Sequence, residues 1–544
     1  MKRCLAWFLW LALLSSALAA PAEVVLYNGQ IATMDPARSW ASALAIEGGK
    51  ITWVGWDPAE QIGPNTEVVD LKGQMVLPGF TDSHVHLVLG GIEADQCPLA
   101  DSPDAGTVFE RIRTYAQSHP DRPWILGSGW DTTEFGPQGP TRQQLDELVG
   151  DRPAWLYTSD GHSAWANSKA LELAGITSAT ADPAAGRIER DPEGNPRGVL
   201  RESAMALMEK VVPATTAADY EKHLPEVIRL ANSFGITAVD EANTSEPMLQ
   251  AYQALERRGE LDLRVLASLE VDLPLDLDKL KALRRRYDGP RLKATAAKLF
   301  LDGVIESRTA ALLEPYLGEG PQGELNLQPA PIVAALDAAG FQVHLHAIGD
   351  RAVRAGLDAF AALPRRDARH HIAHLQLVHP DDYARFRQLG VVANIQPLWA
   401  FPDKYITELT EPILGPERSA RLYPFASLFK AGATVAAGSD WSVSSLNPLE
   451  AIEVAVTRHD PSAPPTPAWH ADQCLRLTEV LGAYTNGGAW VTFQEHQRGS
   501  LEVGKWADLI VLDHNLYAIP PEQISETKVV LTMLEGKVVY RRQP

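Results

Sequence analysis

The chain has 544 residues, 45% hydrophobic and 22% charged, which suits one large domain with a smaller one, or two to three ordinary domains. A formal net charge of -20 argues against nucleic acid and anionic membrane surfaces as partners, because phosphate binding needs clustered Lys and Arg. Three cysteines make no disulfide scaffold, so stability must come from a large core.

At the start of the chain, Lys2 and Arg3 precede an apolar run from Leu5 to Leu14, followed by Ser15, Ser16 and Ala17-Leu18-Ala19. A charged n-region, an h-region and an A-x-A site read as a secretory signal peptide over residues 1–19. The run is short for a membrane span, so an uncleaved anchor is the weaker alternative. The expectation is a secreted or periplasmic protein with no stable membrane association after signal removal. Cys97 and Cys474 then remain, and whether they pair is open.

Residues 20–77 are β-like. Val24-Val25-Leu26-Tyr27, Asn28-Gly29 and Gln30-Ile31-Ala32-Thr33 read as a hairpin with a tight turn. Ala43-Leu44-Ala45-Ile46, Gly48-Gly49 and Lys50-Ile51-Thr52-Trp53-Val54 repeat the pattern. Residues 491–544 return to it, with Val529 to Leu534, Glu535-Gly536 and Lys537 to Tyr540. The two ends are expected to pair into one small composite β-sandwich, two separate β caps being the alternative.

Between them, over 78–490, apolar strand-like segments alternate with helical periodicity. Met75-Val76-Leu77 leads into His84, and further segments lie at 153–160, 236–241, 294–302, 341–346, 371–377, 391–397 and 434–440. Helical spacing of Leu224, Val227, Ile228 and Ala231 stops at Gly235. Asp350 reads as the N-cap of one helix, and Asn447-Pro448 as the cap and first-turn proline of another. Eight strands alternating with helices predict an α/β fold, a (β/α)8 TIM-type barrel. The surplus length, mainly 87–151 and 167–213, is expected to lie over the barrel mouth.

In such a barrel the chemistry collects at the C-terminal ends of the strands. His84 and His86 end the first. Lys298 interrupts an apolar run in the fourth, His344 and His346 end the fifth, His371 and His374 lie on the sixth, and Gly438-Ser439-Asp440 ends the eighth. Residues two apart on a strand share a face, so His84 and His86 can address one ion. Imidazoles and a carboxylate converging from several strands suit zinc or a similar divalent metal. His346 is preferred to His344, and His374 to His370 and His371, because they lie nearer the strand ends. Lys298 has two readings at this point: a partner for a buried carboxylate, or a neutral amine able to take up carbon dioxide. Asp440 reads better as a ligand and proton acceptor than as a helix cap.

The residues 78–86 (PGFTDSHVH), 160–168 (DGHSAWANS), 298–303 (KLFLDG), 346–350 (HAIGD), 372–374 (IAH) and 438–440 (GSD) together resemble the metal-dependent amidohydrolase superfamily. Within it they are similar to the amidohydrolase-3 branch that includes formamide deformylase-like proteins. The resemblance covers essentially all of the mature chain. It implies a barrel with a composite sandwich, one or two metal ions on His84, His86, His346, His374 and Asp440, and Lys298 as a bridging carbamate. Ala373 departs from the Glu that relatives often carry beside the histidine, which leaves open what supports His374.

The expected activity is hydrolysis of a carbon–nitrogen bond other than a peptide bond, in an amide, formamide or cyclic amide of a small molecule. Asp440 would move the proton, and His162 would touch the substrate carbonyl or else pack under an insertion. Trp130, Asp131 and Trp399 read either as pocket wall or as core, and Asn167 as a helix cap. Ester or lactone hydrolysis, deamination, and a catalytically silent secreted binding protein are the alternatives. No G-x-S-x-G elbow or strand-linked G-x-G-x-x-G is present, which argues against a serine hydrolase or a dinucleotide enzyme. A homo-oligomer is compatible with this reading but not specified by it.

Overall fold

The computed structural model describes residues 21–100, 102–136, 139–183, 186–208, 210–318, 323–364 and 367–543. The predicted signal peptide therefore lies outside the described residues.

Eight parallel strands form the centre: β1 (Phe80–Val85), β2 (Ile236–Thr244), β3 (Arg264–Glu270), β4 (Leu292–Phe300), β5 (Gln342–Ala347), β6 (His371–His374), β7 (Val392–Ile395) and β8 (Thr434–Ala437). Each pairs with the next in sequence order, and both faces are buried, the inner one in the barrel interior and the outer one under helices, so the strands read as apolar runs. No ladder joins β8 to β1. The seam is held just beyond the strand ends, where Asp440 N–H donates to His84 O at 2.8 Å and His86 N–H to Trp441 O at 2.8 Å. Below, the carboxylate of Asp82 accepts from both the N–H and the hydroxyl of Ser439. A carboxylate pinned across the seam sets β1 and β8 in register, and that register brings Asp440 beside His84 and His86.

Local signals explain several elements. Helix Ala217–Ser233 buries Leu224, Val227, Ile228 and Ala231, is capped by Thr216, and is followed by Gly235 at φ 81, where the chain turns directly into β2. Helix Pro448–Thr457 is capped by Asn447. Asp350 is the first helical residue after Gly349, and its carboxylate accepts from Leu313 N–H.

The segment at 153–160 is not a barrel strand. Strand Ala154–Thr158 belongs to a separate six-stranded sheet and pairs in parallel with Ile125–Trp130. The barrel's third strand is Arg264–Glu270, which begins on a buried arginine held by Asp508 at 2.9 Å and Glu535 at 2.8 Å. The six-stranded sheet sits within the insertion between β1 and β2 and has its own core of Val108, Ile112, Leu145, Leu156 and Trp165. Trp130 belongs to that core, fully buried with its indole N–H on Leu156 O, so it does not line a pocket. Asp131 caps the short helix Thr132–Phe135.

The chain ends meet as expected. A four-stranded sheet orders Lys50–Gly55, Ala43–Glu47, Val24–Tyr27 and Glu67–Asp70. A six-stranded sheet orders Lys537–Arg541, Val529–Leu534, Leu509–Leu512, Met75–Pro78, Gln30–Ala32 and Trp40–Ala41. Leu26, Ile31, Leu44, Val76, Leu509 and Leu531 share one core. Gly48 and Gly49, at φ 56 and 75, close the expected hairpin between Ala43–Glu47 and Lys50–Gly55. The other predicted hairpin does not form. Val24–Tyr27 pairs with Ala43–Glu47 and Glu67–Asp70, so Asn28-Gly29 carries the chain from one sheet to the other. Met75–Pro78 is a sandwich strand, and β1 begins only at Phe80. Cys97 and Cys474 are both free thiols.

Candidate metal centre

At the C-terminal mouth of the barrel, Asp440 Oδ1 lies 3.3 Å from His84 Nε2 and 3.3 Å from His86 Nε2. Its Oδ2 is 3.8 Å from His374 Nδ1. None of these contacts has hydrogen-bond alignment for Asp440 Oδ1 or His374 Nδ1, although both atoms are buried. Buried polar atoms without partners are rare, because their desolvation goes uncompensated. Donor atoms turned to a common centre instead of to one another are what a ligand set presents. The side chains themselves thus present a donor set suited to a divalent cation.

The remaining members surround this trio. Lys298 Nζ is 3.4 Å from His84 Nε2. The His374 ring lies 4.7 Å from that of His84 and 4.4 Å from that of His346, centroid to centroid. His346 Nε2 is 3.4 Å from Gly303 O and 3.8 Å from Asp302 Oδ1. Asp302 accepts N–H groups of Ala311, Ile348 and Gly349, which ties the ends of β4 and β5 together under His346. His374 and Asp440 both sit at positive φ, 79 and 56. Non-glycine residues held there carry backbone strain, and such strain concentrates at functional sites.

Electrostatics follow from burial and neighbours. Burial alone would raise the Asp440 carboxyl, but His84, with His86 and His374, outweighs it and holds the group well below the ordinary carboxylate range. Burial lowers the Lys298 ammonium to about 7 against the pull of Asp440 and Asp240. A lysine neutral near pH 7 is the form that can add carbon dioxide.

Sequence reasoning preferred His346 to His344, and the geometry separates the two. His346 faces the mouth, whereas His344 Nε2 meets His84 Nδ1 from behind at 2.8 Å. His370 lies apart from the centre, its Nδ1 accepting from Val343 N–H. Next to Ala373, His374 is supported from the end of β7: its backbone N–H donates to Gln396 Oε1 at 2.8 Å, and the Gln396 amide donates to Asn394 Oδ1. Trp399 stacks on His374, ring planes 1° apart with centroids 5.4 Å apart.

His162 reaches the centre from the insertion, its ring 5.5 Å from His346. Its Nδ1 is 3.0 Å from Glu202 Oε2, and Glu202 Oε1 accepts from Thr309 Oγ1 at 2.6 Å. Glu202 carried no signal in the sequence, since it ends a strand of the insertion 40 residues from its partner. Asn167 caps helix Ser168–Ala174 as expected. Burial would lower the imidazolium of His162, but Glu202 prevails and raises it to about 9. A folded-state value above the unfolded one means the pair stabilises the protein fully below pH 6.5 and loses that effect as pH rises through 9. The shift corresponds to about 3 kcal/mol. His162→Gln should therefore cost most stability near pH 6 and least above pH 9.5. Denaturation at both pH values checks this.

A profile of the amidohydrolase family matches residues 67–540. The chain belongs to the amidohydrolase family. This amidohydrolase is 32% identical over 540 residues to "Protein LONG AFTER FAR-RED 3" of Arabidopsis thaliana, covering 95% of this chain and 92% of the relative. It is 26% identical over 545 residues to an N-substituted formamide deformylase of Arthrobacter pascens, covering 96% and 98%. Among solved structures, an uncharacterized metal-dependent hydrolase from Pyrococcus horikoshii OT3 superposes with a TM-score of 0.74 at 28% identity, covering 92% of this chain and 99% of that one. The amidohydrolase described here is an enzyme with a (β/α)8 barrel, and Asp440, His84 and His86 are where its ligand-type side chains converge.

Proposed function

We propose that this enzyme hydrolyses a non-peptide carbon–nitrogen bond, in an N-formyl or N-acyl amide or a cyclic amide, using a water activated at a zinc-type centre. The observation that carries the reading is Asp440 Oδ1 at 3.3 Å from two imidazole Nε2 atoms that themselves come from the other end of the barrel sheet. His84, His86, His346, His374 and Asp440 would hold the metal, with Lys298 as a bridging carbamate; bound there, a divalent cation supplies Lewis acidity and an acidified water. Asp440, held ionised, accepts the proton of the attacking water and returns it to the leaving amine. His162, charged and fixed by Glu202, donates a hydrogen bond to the substrate carbonyl oxygen as negative charge grows there.

A cavity of about 330 Å³ opens beside Lys298, lined also by Glu202, Glu270, Asn243, Phe300 and Leu327. That volume suits a small molecule. Similarity to the Arthrobacter pascens deformylase supports a formamide as the first bond to try. The n-region, apolar run and Ala17-Leu18-Ala19 support export of the mature enzyme.

The test is turnover of metal-replete protein on N-formyl amines, N-acyl amines, cyclic amides, esters and lactones. Faster hydrolysis of one of the amide classes is expected. Turnover confined to esters or lactones, or no turnover of any class, would overturn the reading.

A further inference from the structure

We propose that Asp240, Ser268 and His344 form a positioning relay that fixes the tautomer of His84, and that the inner Asp240–His344–His371 cluster serves this relay and holds no metal of its own. The proposal rests on His84 being a metal ligand.

Beneath the mouth lies a second group with ligand chemistry. Asp240 on β2, His344 on β5 and His371 on β6 are all fully buried, inside a barrel whose interior is ordinarily filled by branched apolar side chains. Asp240 Oδ2 lies 3.5 Å from His371 Nε2 and 3.6 Å from His344 Nδ1. Separations would allow a cation here, and Asp240 Oδ2 and His371 Nε2 are buried without hydrogen-bond partners. Proton counting at His344 argues against one.

The 2.8 Å contact between His84 Nδ1 and His344 Nε2 holds one hydrogen. For His84 to offer the lone pair of Nε2 at the mouth, its proton must sit on Nδ1. His84 then donates, and His344 Nε2 accepts. A neutral His344 carries its own proton on Nδ1, the atom an inner cation would need. That N–H has an acceptor in place, Ser268 Oγ at 3.0 Å. The Ser268 hydroxyl in turn donates to Asp240 Oδ1 at 2.7 Å. With Asp240 ionised, every hydrogen points inward and the chain ends on a group that only accepts. The opposite polarity would require Asp240 to donate, and would put the His84 proton on Nε2, the atom that faces Asp440 Oδ1 at 3.3 Å and would then have no lone pair for a cation. Supporting partners of this kind set ring orientation and ligand basicity, and losing one typically weakens metal binding about 10- to 100-fold.

The experiment measures zinc affinity of the full mature protein by competition with a chromophoric chelator, and the visible spectrum of the cobalt(II)-substituted protein. The variants are His344→Leu, His344→Gln, Ser268→Ala and His371→Leu. His344→Leu and Ser268→Ala should bind zinc about 10- to 100-fold more weakly and shift the cobalt bands. His344→Gln places an amide oxygen where Nε2 accepts, and should restore both readouts toward wild type. His371→Leu should keep the metal-to-protein ratio. Should His344→Leu fail to fold, Ser268→Ala against wild type decides, since it removes one oxygen. Wild-type affinity and spectrum in folded Ser268→Ala or His344→Leu would overturn the relay alone. Loss of a full metal equivalent in His371→Leu would also overturn it, by placing an ion in the inner cluster. Wild-type protein that takes up no divalent metal would instead overturn the metal-centre reading on which the relay depends.

Discussion

Asp440→Asn is expected to lower turnover about 10³-fold while the protein stays folded. The substitution keeps shape and burial but removes the negative charge that three imidazoles hold in place. An amide oxygen is a poor base, so the proton from the attacking water has no acceptor at 3.3 Å from His84 and His86. The fold should survive, because the seam between β8 and β1 is held by Asp82, Ser439 and the backbone N–H of residue 440, none of which changes. The check is kcat on the best substrate beside the circular dichroism and melting curve. Full activity in a folded variant would remove Asp440 from proton transfer.

Lys298→Met should be nearly as damaging to activity and harmless to stability. Lys298 is 1% exposed, and its ammonium is disfavoured there strongly enough to bring it to about 7. Methionine of similar length fills the same space and relieves that desolvation cost, so the melting temperature should hold or rise. Turnover should fall about 10²-fold or more, with fewer metal ions per chain, because a thioether cannot form the anionic carbamate that the proposed centre would use. Metal analysis and kcat on the same preparation test this. A variant with full turnover would reduce Lys298 to a structural cation paired with Asp240 and Asp440.

Much of this centre was legible in the sequence because each ligand-type residue closes an apolar run. His84 and His86, His346, His374 and Asp440 stand where strand text gives way to loop text, and a barrel gathers such positions at one mouth. What was not legible depends on partners in space. The segment at 153–160 has the composition of a barrel strand, and only its pairing with Ile125–Trp130 assigns it to the insertion. β3 escaped notice because it opens on Arg264, whose charge is matched by Asp508 and Glu535 from the far end of the chain. Asn28-Gly29 has hairpin chemistry, yet the flanking strands find better apolar partners in different sheets. Trp130 proved to be core and Trp399 site wall, a distinction made by the Leu156 carbonyl in one case and the His374 ring in the other.

The supporting residues were the least visible of all. Asp82 lies in the same run as His84 and His86, but its task of bridging to Ser439 across 357 positions has no local signature. Asp240, followed directly by Glu241 on β2, and Ser268 on β3 read individually as incidental. Glu202 lies on an insertion whose placement over the mouth was expected but whose register was not. Ligands announce themselves by residue type and position, while the groups that orient them are defined only by the hydrogen bonds they make.

Residues from opposite ends of the chain should share one cation at the barrel mouth. Anomalous scattering at the zinc edge, from crystals of zinc-replete protein, should then show a peak about 2.0–2.2 Å from His84 Nε2, His86 Nε2 and an Asp440 oxygen. No peak at that position, or a peak seated among Asp240, His344 and His371, would contradict it.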